Sequence, residues 1–339
     1  VAGMSRNLLR RASFALILTA LLYGGVLFYA DATDMWKNLV AVSAQAVLVG
    51  TALSLGSFAV RFVRWAYYLK VLKLDVPLWP SSIIFTSGLA MSITPAKMGE
   101  VLKALMLRER YDMPVSRTGP IVLAERFTDV GALLLLGGLG LLDLPYGKLI
   151  AAMAVLCVLA GGAVVSSRVM GQWVIMQLTR PARLRRLRDG LLNAHGALRE
   201  LLEPTTFVVG TLLSIFAWGL QGVALSVVAN DSPGVALGLT ESMLAYSAPL
   251  LTGTLAMVPV GLGLTEASMA GVLVRFGGAS VAAAAAITII VRVITFWIAI
   301  ALGFAALIMY NVGAARSILA SSVSDEALAP TAGSAAKRS

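Results

Sequence analysis

Long apolar runs, separated by short polar segments, make up most of the sequence. A helix of about 20 residues crosses the hydrocarbon core of a bilayer and satisfies its own backbone hydrogen bonds there. The pattern therefore predicts an all-α integral membrane protein. We expect full spans at about residues 12–30, 39–60 (with helix continuing to Leu72), 118–142, 148–166, 205–229 and 279–310.

Two other apolar stretches, at about residues 82–94 and 240–258, are interrupted by Pro and Gly. A short helical segment follows each of them, at about residues 97–110 and 264–276. Because every piece is shorter than a span requires, we expect two re-entrant hairpins of broken helices. The predicted fold thus has about six full spans and two re-entrant hairpins.

Basic residues are concentrated in alternate loops, and this bias predicts the orientation of the spans. Three Arg residues precede the first span, and further basic clusters lie at about residues 61–73, 108–117 and 168–199. The opposite loops contain few Lys or Arg residues and several Asp residues. We therefore expect both termini in the cytoplasm and the protein in a bacterial inner membrane.

The composition excludes several other classes of protein. Hydrophobic residues form 58% of the 339 positions and charged residues 13%, whereas a soluble domain averages about 25% charged residues. The net charge of +10 lies beside apolar runs, which favours contact with anionic lipid rather than nucleic acid. One Cys and one His make a Cys–His nucleophile or a His/Cys metal site unexpected. We predict no cofactor, and the P-loop motif of ATP-binding proteins does not occur.

A single transmembrane domain is expected over residues 1–320, with a cytoplasmic linker at about residues 168–203. Within this linker, Leu residues recur at helical spacing and Arg residues crowd the other side. That pattern is typical of an amphipathic helix on the membrane surface, although a solvated linker helix would also produce it. Residues 321–339 have no periodicity and are expected to be a disordered tail.

The two halves of the sequence resemble each other. Residues 49–54 match residues 209–214 at five of six positions. Rarer residues match at an offset of 166 residues: Glu100 with Glu266, Arg126 with Arg292, and Gly137 with Gly303. We therefore predict two repeats, at about residues 39–142 and 205–310.

The predicted orientation makes these repeats run in opposite directions through the membrane. Inverted repeats with broken helices are typical of alternating-access carriers, in which the binding site lies where the repeats meet. The pattern therefore favours a transporter.

Ionisable residues inside apolar segments are the candidate functional residues, because each isolated charge costs about 2.5–3.5 kcal/mol on insertion scales. We expect ion pairs between Glu100 and Arg126 and between Glu266 and Arg292, which would hold each hairpin or take part in gating. Asp129 is a further candidate for this gating network, and Glu125 lies at the same depth.

Positive charge near the first hairpin would attract an anionic head group, and glycines of the second would allow close backbone approach. For Arg61 and Arg64, ordinary anchoring at the interface remains the alternative. The candidate head-group residues are Arg61, Arg64, Lys97, Gly99, Glu100, Lys103, Gly261, Gly263 and Glu266.

Four of these stretches, at residues 94–100, 124–129, 259–268 and 291–292, resemble the transmembrane region of lysylphosphatidylglycerol synthases. This family is also called UPF0104 or flippase-like, and the resemblance covers about residues 10–312. It implies movement of lipids between leaflets. The lipids would be anionic phospholipid, aminoacylated phosphatidylglycerol, hopanoid or polyprenyl-linked lipid. Some members carry a soluble transferase domain that we do not expect here, and Lys97 and Lys103 stand where many relatives are expected to have Arg.

The leading hypothesis is a lipid translocase that works by alternating access and is not an enzyme. The alternative is a membrane-embedded transferase that acts on a lipid-linked substrate, with Glu100 or Asp129 as catalytic carboxylate. A non-transporting assembly subunit and a carrier of small water-soluble solutes are further alternatives. The oligomeric state is left open, and a homo-oligomer is compatible with the sequence.

Overall fold

The computed structural model describes residues 32–93, 100–142, 144–181, 184–255 and 263–312. All regular elements in these ranges are helical, which confirms the predicted all-α fold. The helices are α1 (Ala32–Ala41), α2 (Ala44–Val71), α3 (Leu78–Ala90), α4 (Leu102–Tyr111), α5 (Val115–Leu139), α6 (Gly147–Ser166), α7 (Arg168–Leu178), α8 (Arg188–Leu201), α9 (Pro204–Asn230), α10 (Leu239–Leu255), α11 (Leu264–Gly277) and α12 (Val281–Val312).

Several predictions fall outside the described residues. They concern the first span at 12–30, the tail at 321–339, and the candidate site residues Lys97, Gly99 and Gly261.

Four of the described helices are long and apolar enough to cross a membrane: α2, α6, α9 and α12. They contain 28, 20, 27 and 32 residues, and at about 1.5 Å per residue even the shortest is about 30 Å long. Helix α5 has 25 residues, but its middle contains Glu125, Arg126 and Asp129. The chain is therefore a membrane protein with several apolar helices, and the number of six spans stays a prediction.

Each predicted hairpin contains two helices, although Gly88 and Pro249 do not break the helices in which they lie. Helix α3 ends at Ala90, where a 3-10 turn over Met91–Ile93 begins, and α4 starts only at Leu102. In the second half, α10 contains Pro249, and α11 follows Gly263, whose φ of 84° a glycine adopts without strain. The four pieces have lengths of about 15–26 Å, below the hydrocarbon thickness of about 30 Å. Their re-entrant placement in a bilayer stays a prediction.

Helices α2 and α9 pack against each other in antiparallel directions. Their contacts run oppositely along the two chains: Gly50 faces Val228, the Ser54 hydroxyl donates to Gln221 at 2.8 Å, and Gly210 faces the Tyr68 ring. The two glycines allow close approach, as small residues do between membrane helices. The first long helices of the two halves are therefore in direct contact.

The last helix of each half contacts the hairpin of the other half. Gly137 of α5 faces Ser247 of α10. At the matching position in the second half, Gly303 of α12 lies directly against the backbone of Ala90 in α3. Glycines that match in sequence thus lie at both contacts, although the residues that they face, Ser247 and Ala90, are not at matching positions.

The linker is helical but is divided into α7, a 3-10 turn over Arg185–Leu187, and α8. The C-terminal half of α8 packs against the bundle through the buried side chains of Ala197 and Leu201. The Arg199 Nε atom donates to the Ser166 carbonyl at 2.7 Å and so fixes α8 to the end of α6. The linker is therefore attached to the helical bundle, and its place on the membrane surface stays a prediction.

Candidate functional site

The site is built from two polar stripes on otherwise apolar helices. On α2, buried polar residues recur every three or four positions: Ser54, Ser57, Arg61, Arg64 and Tyr68. On α9 a shorter stripe holds Ser214, Trp218 and Gln221. Residues at this spacing share one helix face, so the polar faces of α2 and α9 meet between the two halves.

Seven ionisable side chains gather beside these stripes, and we call them the buried charge cluster. It consists of Arg61, Arg64, Glu100, Lys103, Glu125, Arg126 and Asp129, and all except the partly exposed Arg126 are buried. Four of the seven are cationic and three are carboxylates. In their ordinary ionised forms they therefore leave one positive charge in surplus.

Asp129 is the carboxylate that joins the two halves of the chain. Its Oδ1 atom accepts hydrogen bonds from Arg64 at 2.6 Å and from the Trp218 indole at 2.9 Å. The same Arg64 nitrogen contacts the hydroxyls of Ser214 and Thr128. Since Trp218 and Ser214 belong to α9, movement of α9 relative to α5 would disrupt these bonds.

Lys103 is held by two carboxylates and two aromatic rings. Its ammonium group lies 2.6 Å from Glu125 and 3.5 Å from Glu100. The same nitrogen lies 4.7 Å from the ring centre of Trp65 and 5.3 Å from that of Phe85. In this structure the charge that we predicted to meet a head group is thus already balanced.

Arg126 forms the predicted pair with Glu100, at 3.0 Å, and also lies 3.4 Å from Asp129. Its buried Nε–H has no hydrogen-bond acceptor among the described residues. Because Glu100 lies just before α4, this pair holds the start of α4 against the middle of α5.

Arg61 is the cation of the cluster that has no carboxylate within 4.0 Å in the described part of the chain. Its guanidinium group lies over the Trp218 ring, 5.1 Å from the ring centre. Its buried Nε–H has no acceptor among the same residues. The surplus positive charge is therefore located at Arg61, between α2 and α9.

The second predicted ion pair is also present, but separately from the cluster. Arg292 donates to Glu266 at 2.8 Å, and the backbone N–H of Gly263 donates to the other carboxylate oxygen at 2.7 Å. The Arg292 guanidinium stacks on Phe296, 4.3 Å from the ring centre. One oxygen of Glu266 thus holds α11 against α12, and the other caps the N-terminus of α11.

The structure therefore brings together most of the predicted residues that it describes. Arg61, Arg64, Glu100 and Lys103 meet in one cluster with Arg126 and Asp129, whereas Gly263, Glu266 and Arg292 form the separate pair. Sequence reasoning missed Trp218 and Ser214. The polar stripe on α9 was the available signal, because polar residues at helical spacing within an apolar run indicate a buried polar face.

The family model of the lysylphosphatidylglycerol synthase transmembrane region matches residues 13–303. The chain belongs to this family. The matched range includes both halves, the whole buried charge cluster and the separate Glu266–Arg292 pair.

Two UPF0104 membrane proteins of the archaeon Methanothermobacter thermautotrophicus are similar to this family member. One is 27% identical over 278 residues, which cover 76% of this chain and 81% of the relative. The other is 24% identical over 290 residues, which cover 77% of this chain and 84% of the relative. The similarity to both relatives thus extends over most of each chain.

Proposed function

We propose that this protein moves an anionic or phosphate-bearing lipid between the leaflets of the membrane without changing it chemically. The observation that carries the proposal is the surplus positive charge of the buried charge cluster, located at Arg61 between the two halves. Membership of the lysylphosphatidylglycerol synthase transmembrane family supports a lipid-related role.

The electrostatics favour an anionic ligand over a purely structural cluster. A buried ion pair in which both charges are satisfied can be structural, but a lone buried cation is costly. Arg61 has a ring face beside it and no carboxylate partner among the described residues. A phosphate group would supply the missing negative charge, and a guanidinium group binds phosphate with two parallel hydrogen bonds.

The arrangement of the halves supports alternating access. The antiparallel packing of α2 against α9 supports inverted repeats, and so do the contacts that Gly137 and Gly303 each make with the hairpin of the other half. Carriers of this type bind their substrate near the midplane, where the repeats meet. Rocking of one half against the other would expose the cluster to each side in turn, while the lipid tails stay in the bilayer.

Location and orientation complete the proposal. The protein would lie in the inner membrane with both termini in the cytoplasm, as the distribution of basic loops predicts. Transport would be driven by an ion gradient, the membrane potential or mass action.

The test is lipid exchange in proteoliposomes that contain the full chain and a dithionite-quenchable fluorescent phosphatidylglycerol. We expect the protein to accelerate exchange and Arg61→Gln to slow it about tenfold or more, because a hydrogen bond to a charged group contributes about 1.5–3 kcal/mol. Arg275→Gln is the matched control, since it removes the same charge at an exposed position.

Two outcomes would refute the proposal. One is unaccelerated exchange for every anionic or phosphate-bearing lipid tested, including polyprenyl phosphates. The other is a change in the mass of the lipid recovered from the vesicles, which would indicate the membrane-embedded transferase instead.

A further inference from the structure

An apolar groove lies on the flank of α5, outside the polar stripes. It has a volume of about 600 Å³ and is bounded by α5, by α6 and by the end of α8. Among the described residues, Arg126 is the one charged residue in its lining. We call it the lateral groove. The head-group site described above does not account for it.

The dimensions of the lateral groove suit one hydrocarbon chain. Its lining on α5 extends from Leu123 to Leu134, and the eleven helical steps between these residues span about 16 Å. Half of a hydrocarbon core of about 30 Å is about 15 Å, so the groove is as long as the chains of one leaflet. Its volume lies within the range of ordinary ligand pockets, about 300–1,000 Å³.

Arg126 places a cation near one end of this apolar surface. It is three residues from Leu123, and Leu198 and Leu202 of the α8 segment close the same wall. Its side chain is 22% exposed, whereas Glu100 and Asp129 beside it are 3% and 4% exposed. Arg126 is therefore the member of the buried charge cluster through which the groove and the cluster are connected.

We propose that the lateral groove binds one hydrocarbon chain of an anionic lipid, whose phosphate accepts hydrogen bonds from Arg126. This inference rests on the proposed function and adds to it a loading site between α5 and α6. The occupant is an anionic lipid, because the partly exposed Arg126 side chain lies in the apolar lining, and a phosphate could replace Glu100 or Asp129 as the partner of its guanidinium group.

Loading would also act on the first hairpin. The phosphate would compete with Glu100 for the guanidinium group of Arg126, and the 3.0 Å contact between these residues holds the start of α4. A lipid in the groove would therefore weaken the attachment of the hairpin before the head group reaches Arg61.

The test is photocrosslinking of the full chain in phosphatidylcholine proteoliposomes, with diazirines in the acyl chains of phosphatidylglycerol or phosphatidylcholine. Mass spectrometry locates the adducts. We expect adducts on residues 123–134 and 157–165, about fivefold more abundant with the anionic probe, since one basic side chain attracts anionic lipid to that extent. Arg126→Gln should remove the preference, and Arg117→Gln, on the same helix, should preserve it.

The proposal can be tested on the unmodified chain alone, by comparing its labelling by the phosphatidylglycerol and phosphatidylcholine probes. The test therefore remains valid even if the Arg126→Gln variant does not fold. Equal labelling by both probes, or labelling spread evenly over the exposed faces of the apolar helices, would overturn the proposal. Groove adducts without lipid exchange would refute the proposed function and leave the groove site intact. Exchange without groove adducts would refute the groove site alone.

The single cysteine of the chain provides an independent test of the occupant. Cys157 is exposed and lines the lateral groove. Benzophenone maleimide attached there should crosslink to phosphatidylglycerol upon illumination. Crosslinks to residues 12–30, or to a second copy of the chain, would show that protein fills the groove and would overturn the proposal.

Discussion

The pair of Arg64 and Asp129 allows a quantitative test of the site. The Asp129 carboxylate lies 2.6 Å from Arg64, and the two side chains are 1% and 4% exposed. Asp129→Asn keeps the shape and one acceptor oxygen but removes the only carboxylate within 4.0 Å of Arg64 in the described ranges. Because an uncompensated guanidinium group would remain buried, we expect a loss of about 3–5 kcal/mol in the free energy of unfolding.

A second ion pair in the same chain provides the matched control. Arg117 and Glu200 lie 3.3 Å apart, and their side chains are 38% and 40% exposed. Glu200→Gln makes the same chemical change, from carboxylate to amide, at a hydrated pair. Water compensates the remaining charge there, so we expect a loss of about 0–1 kcal/mol.

The assay is reversible unfolding by sodium dodecyl sulfate in mixed micelles, followed by circular dichroism. Arg64→Met in the Asp129→Asn background completes a double-mutant cycle. It should restore part of the lost stability, with a coupling energy of about 0.5–3 kcal/mol. Strictly additive losses, or an Asp129→Asn loss as small as that of Glu200→Gln, would refute the conclusion that Arg64 depends on Asp129.

Three further predictions concern helix packing and capping. Gly303→Ala places a Cβ atom into the backbone of Ala90 and should cost about 1–3 kcal/mol, measured by the same unfolding assay. Gly219→Ala is the control, because its new Cβ atom meets no neighbour within 4 Å; it should be neutral or stabilising by up to about 1 kcal/mol. Equal stabilities of the two alanine variants would contradict the close approach of α12 to α3. Ser280→Ala removes the side chain that caps α12 by accepting from Ala283 at 3.1 Å, and thermal unfolding in detergent should show a loss of about 1 kcal/mol; an unchanged midpoint would count against this cap.

Much of the fold could be predicted from the sequence because membrane helices depend on the length of apolar runs. The spans predicted at 148–166 and 205–229 agree with α6 and α9 within one residue at each end. The span predicted at 118–142 corresponds to α5, which starts three residues earlier because Pro114 provides its N-terminal boundary. Local pattern was sufficient for these elements.

The candidate site was less predictable, because its contacts join distant segments. The pairs of Glu100 with Arg126 and of Glu266 with Arg292 were found only because they match at one offset between the halves. The contact of Trp218 with Asp129 crosses from α9 to α5 and has no counterpart in the local pattern. The choice of Glu125 as the main partner of Lys103 likewise depends on how α4 packs against α5.

Comparison of the two halves indicates that the closest ion pairs of the cluster, those at 3.0 Å or shorter, are kept or replaced as units. At an offset of 166 residues, Glu100–Arg126 corresponds to Glu266–Arg292, and Lys103–Glu125 corresponds to Met269–Val291. For Arg64–Asp129 the offset is 160 between α2 and α9 and 166 for Asp129, so this pair corresponds to Ala224–Thr295. One pair is kept whole, and in the other two both charges are replaced together by uncharged residues. Loss of one partner alone would leave a buried charge without compensation, which is the costly case.

Arg61 departs from this rule. Its counterpart at an offset of 160 is Gln221, and no carboxylate is lost along with the charge, because none of the described residues pairs with Arg61 in the first half. The Trp218 ring beside Arg61 is uncharged, so no described residue within 4.0 Å neutralises the guanidinium charge. Under the proposed function, the negative charge that Arg61 lacks among the described residues would come from the head group of a transported lipid.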